Sequence, residues 1–245
     1  MKEWITGKNP VLETLRSRRR DIFRLLVANG SEESNRLNLI ISLAAARKVT
    51  AERVPRQRLD GLAENHQGVA LETSGYPYSS LPEILAEATR RNEPLFLLLL
   101  DLLQNTQNLG TLLRTADAVG VHGVVIPLRR AAGITPAVVT ASAGASEHIL
   151  ICQANLAQAI TMLKEAGVWV VGLEGSPEAR PFDQVNLNGA LAIVVGNEGE
   201  GMRDLVRRSC DWLVSLPMLG KIESLNAAVA GSVLLYHALL SRRKS

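Results

Sequence analysis

The sequence predicts an α/β protein with two domains, a small N-terminal α/β domain at residues 1–72 and a larger C-terminal domain at residues 94–245 built on a parallel sheet. In both parts, apolar segments of strand length alternate with segments of helical periodicity, which is the pattern of sheets covered by helices. The intervening sequence begins TSGYPYSSLP, and its Gly, Pro and Ser content is typical of a linker, which we place at residues 73–93.

The N-terminal part predicts strands and helices in alternation. Asn9 can cap a helix that has Pro10 at its first position and continues through VLETLRS. The segments that follow are a strand FRLLVAN, a helix at about residues 32–48, a strand VTAERV, a short helix around RLDGLAE and a strand GVALET.

The C-terminal part predicts a parallel sheet. Its first strand, LFLLLL, is apolar throughout, as expected of a strand buried on both faces. The further strands are GVVIP, HILIC, VWVVGLEG, ALAIVVG and WLVSLPM. Helical segments lie at residues 109–119, 136–144, 156–166, 202–209 and 225–243. Ligands of such sheets bind at the carboxyl ends of the strands.

Length and composition favour a globular protein. With 245 residues, of which 47% are hydrophobic, the chain can bury a sizeable core. Its longest apolar run, residues 94–100, ends at Asp101 and is far shorter than the roughly 20 residues of a membrane-spanning helix. The start, MKEWITGKNP, lacks the apolar region of a signal peptide, so we expect a cytoplasmic location and no membrane partner.

Cysteine and histidine positions argue against a metal site. Cys152 and Cys210 are not spaced as a ligand or redox pair, and we expect two inert thiols. The histidines are scattered and show no ligand spacing; they are His66, His122, His148 and His237.

Positive charge is concentrated near the start of the chain. The net charge is +3, but residues 1–66 hold 13 Lys and Arg against 8 Asp and Glu. The densest basic cluster is formed by Arg16, Arg18, Arg19 and Arg20. Such a cluster can attract RNA phosphates, or it can be a solvated helix end where arginine is favourable beside the helix dipole.

Three polar or glycine-rich clusters directly follow predicted strands, so a parallel sheet would bring them to one edge. In the first, NTQNLGTLLRTAD at residues 105–117, Asn108 and Gly110 can open a helix that carries Arg114. A guanidinium at that position suits phosphate recognition because its planar fork donates several hydrogen bonds to one oxyanion. A capped helix with an ordinary surface arginine is the alternative.

The second cluster, GNEGEG at residues 196–201, follows ALAIVV without a break. Its glycines allow the backbone to approach a ligand closely, although a tight strand-to-helix turn would also explain them. Their order differs from the dinucleotide-binding GxGxxG, and no Walker A loop is present, which argues against a nucleotide-dependent dehydrogenase. The carboxylates of Glu198 and Glu200 favour a cationic or hydroxyl-bearing ligand over a phosphate.

The third cluster, LPMLGKIESLNAA at residues 216–228, leaves the last strand and leads into the C-terminal helix at Ser224 or Asn226. Small residues at the start of this helix allow close packing against a neighbour, and we interpret them as packing residues. They are Ala227, Ala228, Ala230, Gly231 and Ser232.

The order and the amino-acid sequences of these clusters resemble the motifs of the SpoU/TrmH family of RNA ribose 2′-O-methyltransferases in the SPOUT superfamily. The matching motifs, NTQNLGTLLRTAD, VVGNEGEG and LPMLGKIESLNAAVA, lie within about residues 95–241. The N-terminal part, with GKNPVLETL and HQGVALE, resembles the L30e-like substrate-binding domain of the RlmB-type members. One departure is that the family often has Asp-Pro-x-Asn where this chain has Asn105 to Asn108, which removes a charge.

The resemblance implies a catalytic domain with a deep trefoil knot, a homodimer, and S-adenosylmethionine as the cofactor, released as S-adenosylhomocysteine, with no metal. It implies that the cofactor is held largely by backbone groups in the knot. The implied cofactor contacts are Leu173, Glu174, Gly175, Gly196, Asn197, Glu198, Leu216, Met218, Ser224, Leu225 and Asn226. The implied catalytic residues are Arg114, Asn108, Glu198, Ser224 and Asn226.

The resemblance implies ribose 2′-O-methylation of RNA, with a guanosine of large-subunit (23S) rRNA favoured by the N-terminal domain. The residues expected to contact RNA are Arg16, Arg18, Arg19, Arg20 and Arg114. A tRNA methyltransferase and a non-catalytic RNA-binding or ribosome-assembly factor are the alternatives. Because a guanidinium has a pKa above about 12, we interpret Arg114 as binding phosphate and polarising the 2′-hydroxyl rather than as a general base.

Overall fold

The fold is described from a computed structural model that covers residues 2–32, 34–222 and 224–243. The chain divides into two compact units. Unit 1 comprises Met1–Pro77 and Ile134–His148, and unit 2 comprises Tyr78–Gly133 and Ile149–Ser245. Unit 1 is therefore formed by two separate segments of the chain, whereas the sequence predicted a single N-terminal segment, residues 1–72.

Strands and helices alternate along most of the chain, as the sequence predicts. The strands are β1 (Lys2–Thr6), β2 (Ile22–Ala28), β3 (Ala51–Val54), β4 (Val69–Ser74), β5 (Phe96–Leu100), β6 (Gly123–Pro127), β7 (Leu150–Ala154), β8 (Trp169–Leu173), β9 (Arg180–Pro181), β10 (Leu191–Val195) and β11 (Trp212–Ser215). The helices are α1 (Lys8–Ser17), α2 (Asn35–Ala46), α3 (Arg56–Asp60), α4 (Leu81–Arg91), α5 (Thr106–Ala118), α6 (Pro136–Ala141), α7 (Leu156–Glu165), α8 (Asp204–Ser209) and α9 (Ala227–Arg242), with 3₁₀ turns at Ala145–Glu147 and Phe182–Gln184.

Unit 1 contains a mixed sheet in the order β1-β4-β2-β3. Strand β4 runs antiparallel to β1 and β2, whereas β2 and β3 are parallel. Strand β1, KEWIT, was not predicted. Because β1 leads directly into α1 through Gly7, which has a φ of 92°, α1 begins at Lys8 and the expected cap at Asn9 is wrong.

The expected linker at residues 73–93 is largely regular structure. Strand β4 extends to Ser74, and α4 occupies Leu81–Arg91. Ser80 begins α4 with a capping box, in which its hydroxyl accepts from the Glu83 N–H and the Glu83 carboxylate accepts from the Ser80 N–H. The composition of residues 73–82 does not indicate the start of this helix, because Ser80 and Pro82 are also typical of loops.

Unit 2 is built on a parallel sheet in the order β7-β6-β5-β10-β8-β11-β9. Strands β5, β6 and β10 are buried along their whole length, as the apolar runs predict. A Cβ on Gly231 of α9 would lie 2.8 Å from Leu112 Cδ2 and 3.1 Å from Val195 Cγ2, so these side chains would have to move to make room for it. The small residues of α9 thus allow it to pack closely on α5 and β10.

No helix of residues 2–32, 34–222 and 224–243 is long and apolar enough to cross a bilayer. The same residues contain no group of three or more His, Cys, Asp or Glu side chains that could hold a metal ion. Both cysteines are free, and burial raises the pKa of each thiol, that of Cys210 to about 12.

Candidate active site

The strand order of unit 2 brings the three sequence motifs to one edge of the sheet. Strand β10 lies between β5 and β8, with Val195 level with Leu100 and with Leu173, and β11 follows beside β8. Since all these strands are parallel, the loops that leave their carboxyl ends start side by side. These loops carry the NTQN, GNEGEG and LPMLG sequences and the Leu173–Gly175 segment.

Asn108, Glu198 and Asn226 form a hydrogen-bonded cluster, one residue from each motif. The Asn226 Nδ2 donates to Glu198 Oε1 at 2.6 Å and to Asn108 Oδ1 at 3.2 Å. The Asn108 Nδ2 donates to the same Glu198 Oε1. The cluster places one carboxylate and two amides, all at least partly exposed, where a ligand can reach them.

Asn105 and Asn226 cap the helices that begin at this edge of the sheet. Asn105, not Asn108 or Gly110, begins α5: its Oδ1 accepts from the Gln107 N–H at 2.8 Å and the Asn108 N–H at 3.2 Å. The Asn226 Oδ1 accepts from the Ala228 and Val229 N–H groups and so begins α9. Asn105 therefore supplies the capping acceptor that the Asp implied by the resemblance would supply at this position, without its charge.

The GNEGEG loop is a closed turn. Asn197 and Gly201 exchange both backbone hydrogen bonds at 3.0 Å, and Asn197 Nδ2 donates to the Leu102 carbonyl at 3.2 Å. A Cβ on Gly196 would lie 2.4 Å from the Gly201 carbonyl carbon and 2.5 Å from the Met202 N. Only glycine fits at position 196, because the atoms it would meet are backbone atoms that cannot rotate away.

Asp101 is a residue of this edge that we did not single out from the sequence. It follows β5, is fully buried, and accepts hydrogen bonds from the Arg203 N–H and Nε, both at 2.8 Å. This bidentate pair joins the β5 end to the start of α8. An acid immediately after the apolar run LFLLLL was the available signal.

A second ion pair holds the segment after β8. The Arg207 Nε donates to both oxygens of Glu174 at 2.9 Å, and Arg207 also pairs with Glu178. Hydrogen bonds to Glu178 and Glu174 raise the pKa of Arg207. The Arg207 guanidinium occupies the Glu174 carboxylate, and the Glu174 N–H donates to the Val214 carbonyl at 2.9 Å, so the backbone carbonyl is the polar group of Glu174 most available to a ligand.

The segment after β11 exposes apolar side chains beside the cluster. Leu219 is 98% exposed and Ile222 is 71% exposed, and Met218 and Leu225 also lie on the surface. Leu216 is half-buried, and Ser224 is exposed. Exposed apolar groups at a polar edge are typical of a surface that a ligand covers.

Arg114 is exposed on α5 and has no hydrogen bond or ion pair to the side chains that the structure describes. It lies six residues after Asn108, which on an α-helix is about 9 Å along the axis and roughly 120° around it. The structure therefore brings Asn108, Glu198 and Asn226 together but leaves Arg114 outside their hydrogen-bonded cluster.

The structure contradicts the expectation that Arg20 contacts RNA. Arg20 is 1% exposed; its Nε and Nη2 donate to the Glu147 carboxylate at 3.0 and 2.8 Å, and its Nη1 donates to Glu3 at 2.8 Å. Arg19 is partly committed, since it donates to the Tyr76 hydroxyl and the Pro77 carbonyl.

Arg16 and Arg18 remain on the surface of unit 1. Both are exposed, and Arg16 forms an ion pair with Glu13 at 2.8 Å. A run of arginines thus divides into surface and core positions, which only long-range pairing with Glu147 reveals.

Comparisons with known proteins match both units. The profile of the SpoU rRNA methylase family matches residues 95–236, and the profile for RNA 2′-O ribose methyltransferase substrate binding matches residues 4–79. A protein of Bacillus subtilis, YacO, assigned to the TrmH family of tRNA/rRNA methyltransferases, is 43% identical over 242 residues, which are 98% of this chain and 96% of YacO.

Solved structures share the fold. The SpoU methyltransferase AviRb of Streptomyces viridochromogenes, solved in complex with AdoMet, has a TM-score of 0.83 at 22% identity and covers 100% of this chain and 92% of its own. An AdoMet-bound rRNA methyltransferase of Sinorhizobium meliloti has a TM-score of 0.79 at 23% identity, with 97% and 86% covered. Since the family profile spans more than half of the residues and YacO aligns over nearly all of them, the chain belongs to the SpoU/TrmH family of RNA methyltransferases.

Proposed function

We propose that this protein transfers a methyl group from S-adenosylmethionine to a ribose 2′-hydroxyl, and that its target is a guanosine of large-subunit rRNA. The observation that carries the proposal is the cluster of Asn108, Glu198 and Asn226, in which one residue from each family motif meets at the carboxyl edge of a parallel sheet. The AdoMet complexes of AviRb and of the Sinorhizobium meliloti enzyme, which share the fold, support the choice of cofactor.

The residues at this edge fit the cofactor. Its adenine and methionine chain need apolar cover and backbone hydrogen bonds, and the motif loops of this edge offer the exposed side chains of Met218 and Leu225 and the close-packed backbone at Gly196. The acids at this edge suit hydroxyl groups and a sulfonium better than a phosphate. When bound, the cofactor supplies a methyl group that is electrophilic because it is attached to a positively charged sulfur.

The chain's own residues then position the reactants. Glu198, held by the two amide donors, can accept a hydrogen bond from a hydroxyl or attract the sulfonium charge, while the caps at Asn105 and Asn226 fix the starts of α5 and α9. Arg114 binds an RNA phosphate and polarises the 2′-hydroxyl. Holding two reactants in line can lower the barrier by about 7 to 11 kcal/mol in favourable cases.

A homodimer would explain the isolated position of Arg114. Helix α9 exposes an apolar stripe of Val229, Val233, Tyr236 and Leu240, each between 44% and 55% exposed and spaced four, three and four residues apart. We infer that a second copy covers this stripe and that the segment leading into α9 forms the trefoil knot of the family.

Arg114 is next in the chain to a residue of α5 that contacts α9. Its neighbour Thr115 has its Oγ1 2.9 Å from the Ser232 Oγ of α9. From there, its guanidinium can serve the site of the partner subunit, which agrees with its lack of contact with Asn108, Glu198 and Asn226.

The substrate assignment rests on unit 1. The match of residues 4–79 to a substrate-binding domain of RNA 2′-O ribose methyltransferases supports an RNA substrate, and exposed Arg16 and Arg18 are available to its phosphates. YacO is described as a tRNA/rRNA methyltransferase, so tRNA is the second candidate.

The target is tested by mapping ribose methylation in rRNA and tRNA from isogenic strains with and without this protein. A 2′-O-methyl group blocks alkaline cleavage of the next phosphodiester, so each methylated nucleotide leaves a gap in the ladder. We expect one gap in the large-subunit rRNA ladder to be present in the strain that has the protein and absent from the strain that lacks it. If a gap is lost from tRNA alone, the substrate is tRNA and not rRNA. If the ladders of both RNAs are unchanged, the remaining interpretation is a non-catalytic RNA-binding factor.

A further inference from the structure

The carboxyl edge of the unit 2 sheet carries a fourth loop, residues 128–133, that belongs to none of the three motifs. It follows β6, which pairs with β5 in parallel with Val125 opposite Leu99, so both strands release their loops at the same edge. The Ala132 N–H donates to the Leu103 carbonyl at 2.9 Å. The loop is thus attached two residues before Asn105, the cap of α5.

Arg129 and Arg130 are adjacent on this loop, and both are exposed. Within the described ranges, neither side chain has a hydrogen bond or ion pair, whereas Arg90 and Arg207 of the same unit are held by carboxylates. Arg130 has a φ of 61°, a left-handed conformation that is costly for a residue with a Cβ. The loop therefore holds two uncommitted cations in a defined and strained turn.

We propose that Arg129 and Arg130 bind phosphates of the RNA strand that flank the reacting nucleotide. This inference rests on the proposed function and identifies where that function's substrate is held. The motif loops contribute mainly acids and amides to this edge, among them Glu198 and Glu200, and an RNA strand brings one negative charge per nucleotide. A strand that presents its ribose here needs cations nearby, and the planar forks of two arginines match phosphate oxygens.

The pair acts by positioning and not by chemistry. Phosphate contacts set the register of a nucleic acid without carrying sequence information. Loss of the pair should therefore weaken RNA binding and raise KM, while kcat with saturating RNA and the affinity for S-adenosylmethionine stay within about twofold of wild type.

The test compares R129Q/R130N with the matched control R90Q/R91Q. Asn is chosen at position 130 because it tolerates positive φ. The control removes the same two charges from the end of α4, which precedes the amino end of β5 and so lies at the opposite edge of the sheet. Binding to in vitro transcribed large-subunit rRNA and tRNA is measured between 50 and 300 mM salt, and methyl transfer is measured with the same RNAs.

We expect the slope of log affinity against log salt to fall by about 1.4 to 1.8 for R129Q/R130N, because each lost phosphate contact removes roughly 0.7 to 0.9. KM should rise by tenfold or more, R129K/R130K should restore the slope, and the control should resemble wild type. A slope for R129Q/R130N equal to that of the control overturns the inference. Absence of methyl transfer by the wild-type protein would instead count against the proposed function. In that case, the salt dependence of RNA binding would still show whether Arg129 and Arg130 contact phosphates.

Discussion

Arg20 and Glu147, 127 positions apart in the chain, form a fully buried bidentate ion pair inside unit 1. Burial alone would lower the pKa of Arg20, but its hydrogen bonds to Glu147 and Glu3 outweigh that effect and raise it. The pair joins the Ile134–His148 segment to the N-terminal sheet, so residues 1–77 lack an essential partner when they are alone.

Glu147→Gln should lower the free energy of unfolding by about 3 kcal/mol, because it leaves a buried guanidinium with only part of its countercharge. Chemical denaturation of the full chain measures this. Glu52→Gln is the control, since Glu52 pairs with Arg24 on the surface and its loss should leave the transition nearly unchanged. Equal effects of the two substitutions would show that the buried pair is not a principal contact of unit 1.

Asn226 can be tested separately as a cap and as a member of the site. Asn226→Asp keeps the oxygen that accepts from Ala228 and Val229 but replaces the donor to Glu198 with a second carboxylate. We expect α9 to remain stable and methyl transfer to fall more than tenfold. Asn226→Ala should in addition lose about 1 kcal/mol of stability, the usual value of an N-cap. Wild-type transfer by Asn226→Asp would exclude the amide from the mechanism.

Gly196 and Gly199 provide a matched pair within one loop. Gly196→Ala would overlap backbone atoms of Gly201 and Met202, so we expect a loss of about 1 to 3 kcal/mol of stability and at least tenfold weaker binding of S-adenosylmethionine. A Cβ at Gly199 would meet only the Asn197 Oδ1 at 3.9 Å, and Gly199→Ala should bind within about twofold of wild type. Calorimetric titration measures both, and indistinguishable affinities would contradict the close packing described here.

His122 should make the protein acid-sensitive. Its ring is buried, and Nδ1 accepts from the Phe96 N–H at 3.0 Å; burial is the main cause that lowers its pKa below the ordinary 6.5. Between pH 6.5 and the lowered pKa, His122 is therefore protonated in the unfolded chain but not in the folded chain, and the free energy of unfolding falls as the pH falls.

The decline contributed by one such group is at most about 1.4 kcal/mol per pH unit between 6.5 and the lowered pKa. Thermal or chemical unfolding at pH 7.5 and 5.5 should show a smaller decline in His122→Gln than in wild type. An identical decline in the two proteins would mean that His122 does not couple folding to pH.

The parallel sheet and its motif loops could be predicted from sequence because the signals are local. LFLLLL, GVVIP and ALAIVVG are strands in the structure, and strand alternation alone places GNEGEG at the ligand-binding edge. Helix α4 was missed because Ser80 and Pro82 are favourable both in loops and at helix starts.

The pairings between distant residues could not be predicted. Arg20 lies in a run of arginines that reads as surface, and nothing near it in sequence identifies Glu147 as its partner. The bond between Asp101 and Arg203 likewise depends on β10 lying beside β5, a strand order that periodicity does not contain. The trefoil knot stays a prediction from the family.

Arg114 should be essential for activity and unimportant for stability. Because its side chain is exposed, Arg114→Ala should leave unfolding within about 0.5 kcal/mol of wild type while methyl transfer falls at least a hundredfold. If Arg114 serves the partner's site, mixing Arg114→Ala with Asn226→Asp should restore part of the activity in mixed dimers. Activity of Arg114→Ala within tenfold of wild type would remove this residue from the mechanism.

The 2′-hydroxyl as acceptor is tested most directly with one RNA in two forms. Transfer of a labelled methyl group from S-adenosylmethionine is measured to a fragment that contains the mapped nucleotide, and to the same fragment with 2′-deoxyribose at that nucleotide alone. We predict transfer to the first and none to the second. Equal transfer to both would contradict the account, since the 2′-hydroxyl of the mapped nucleotide would then not be the acceptor.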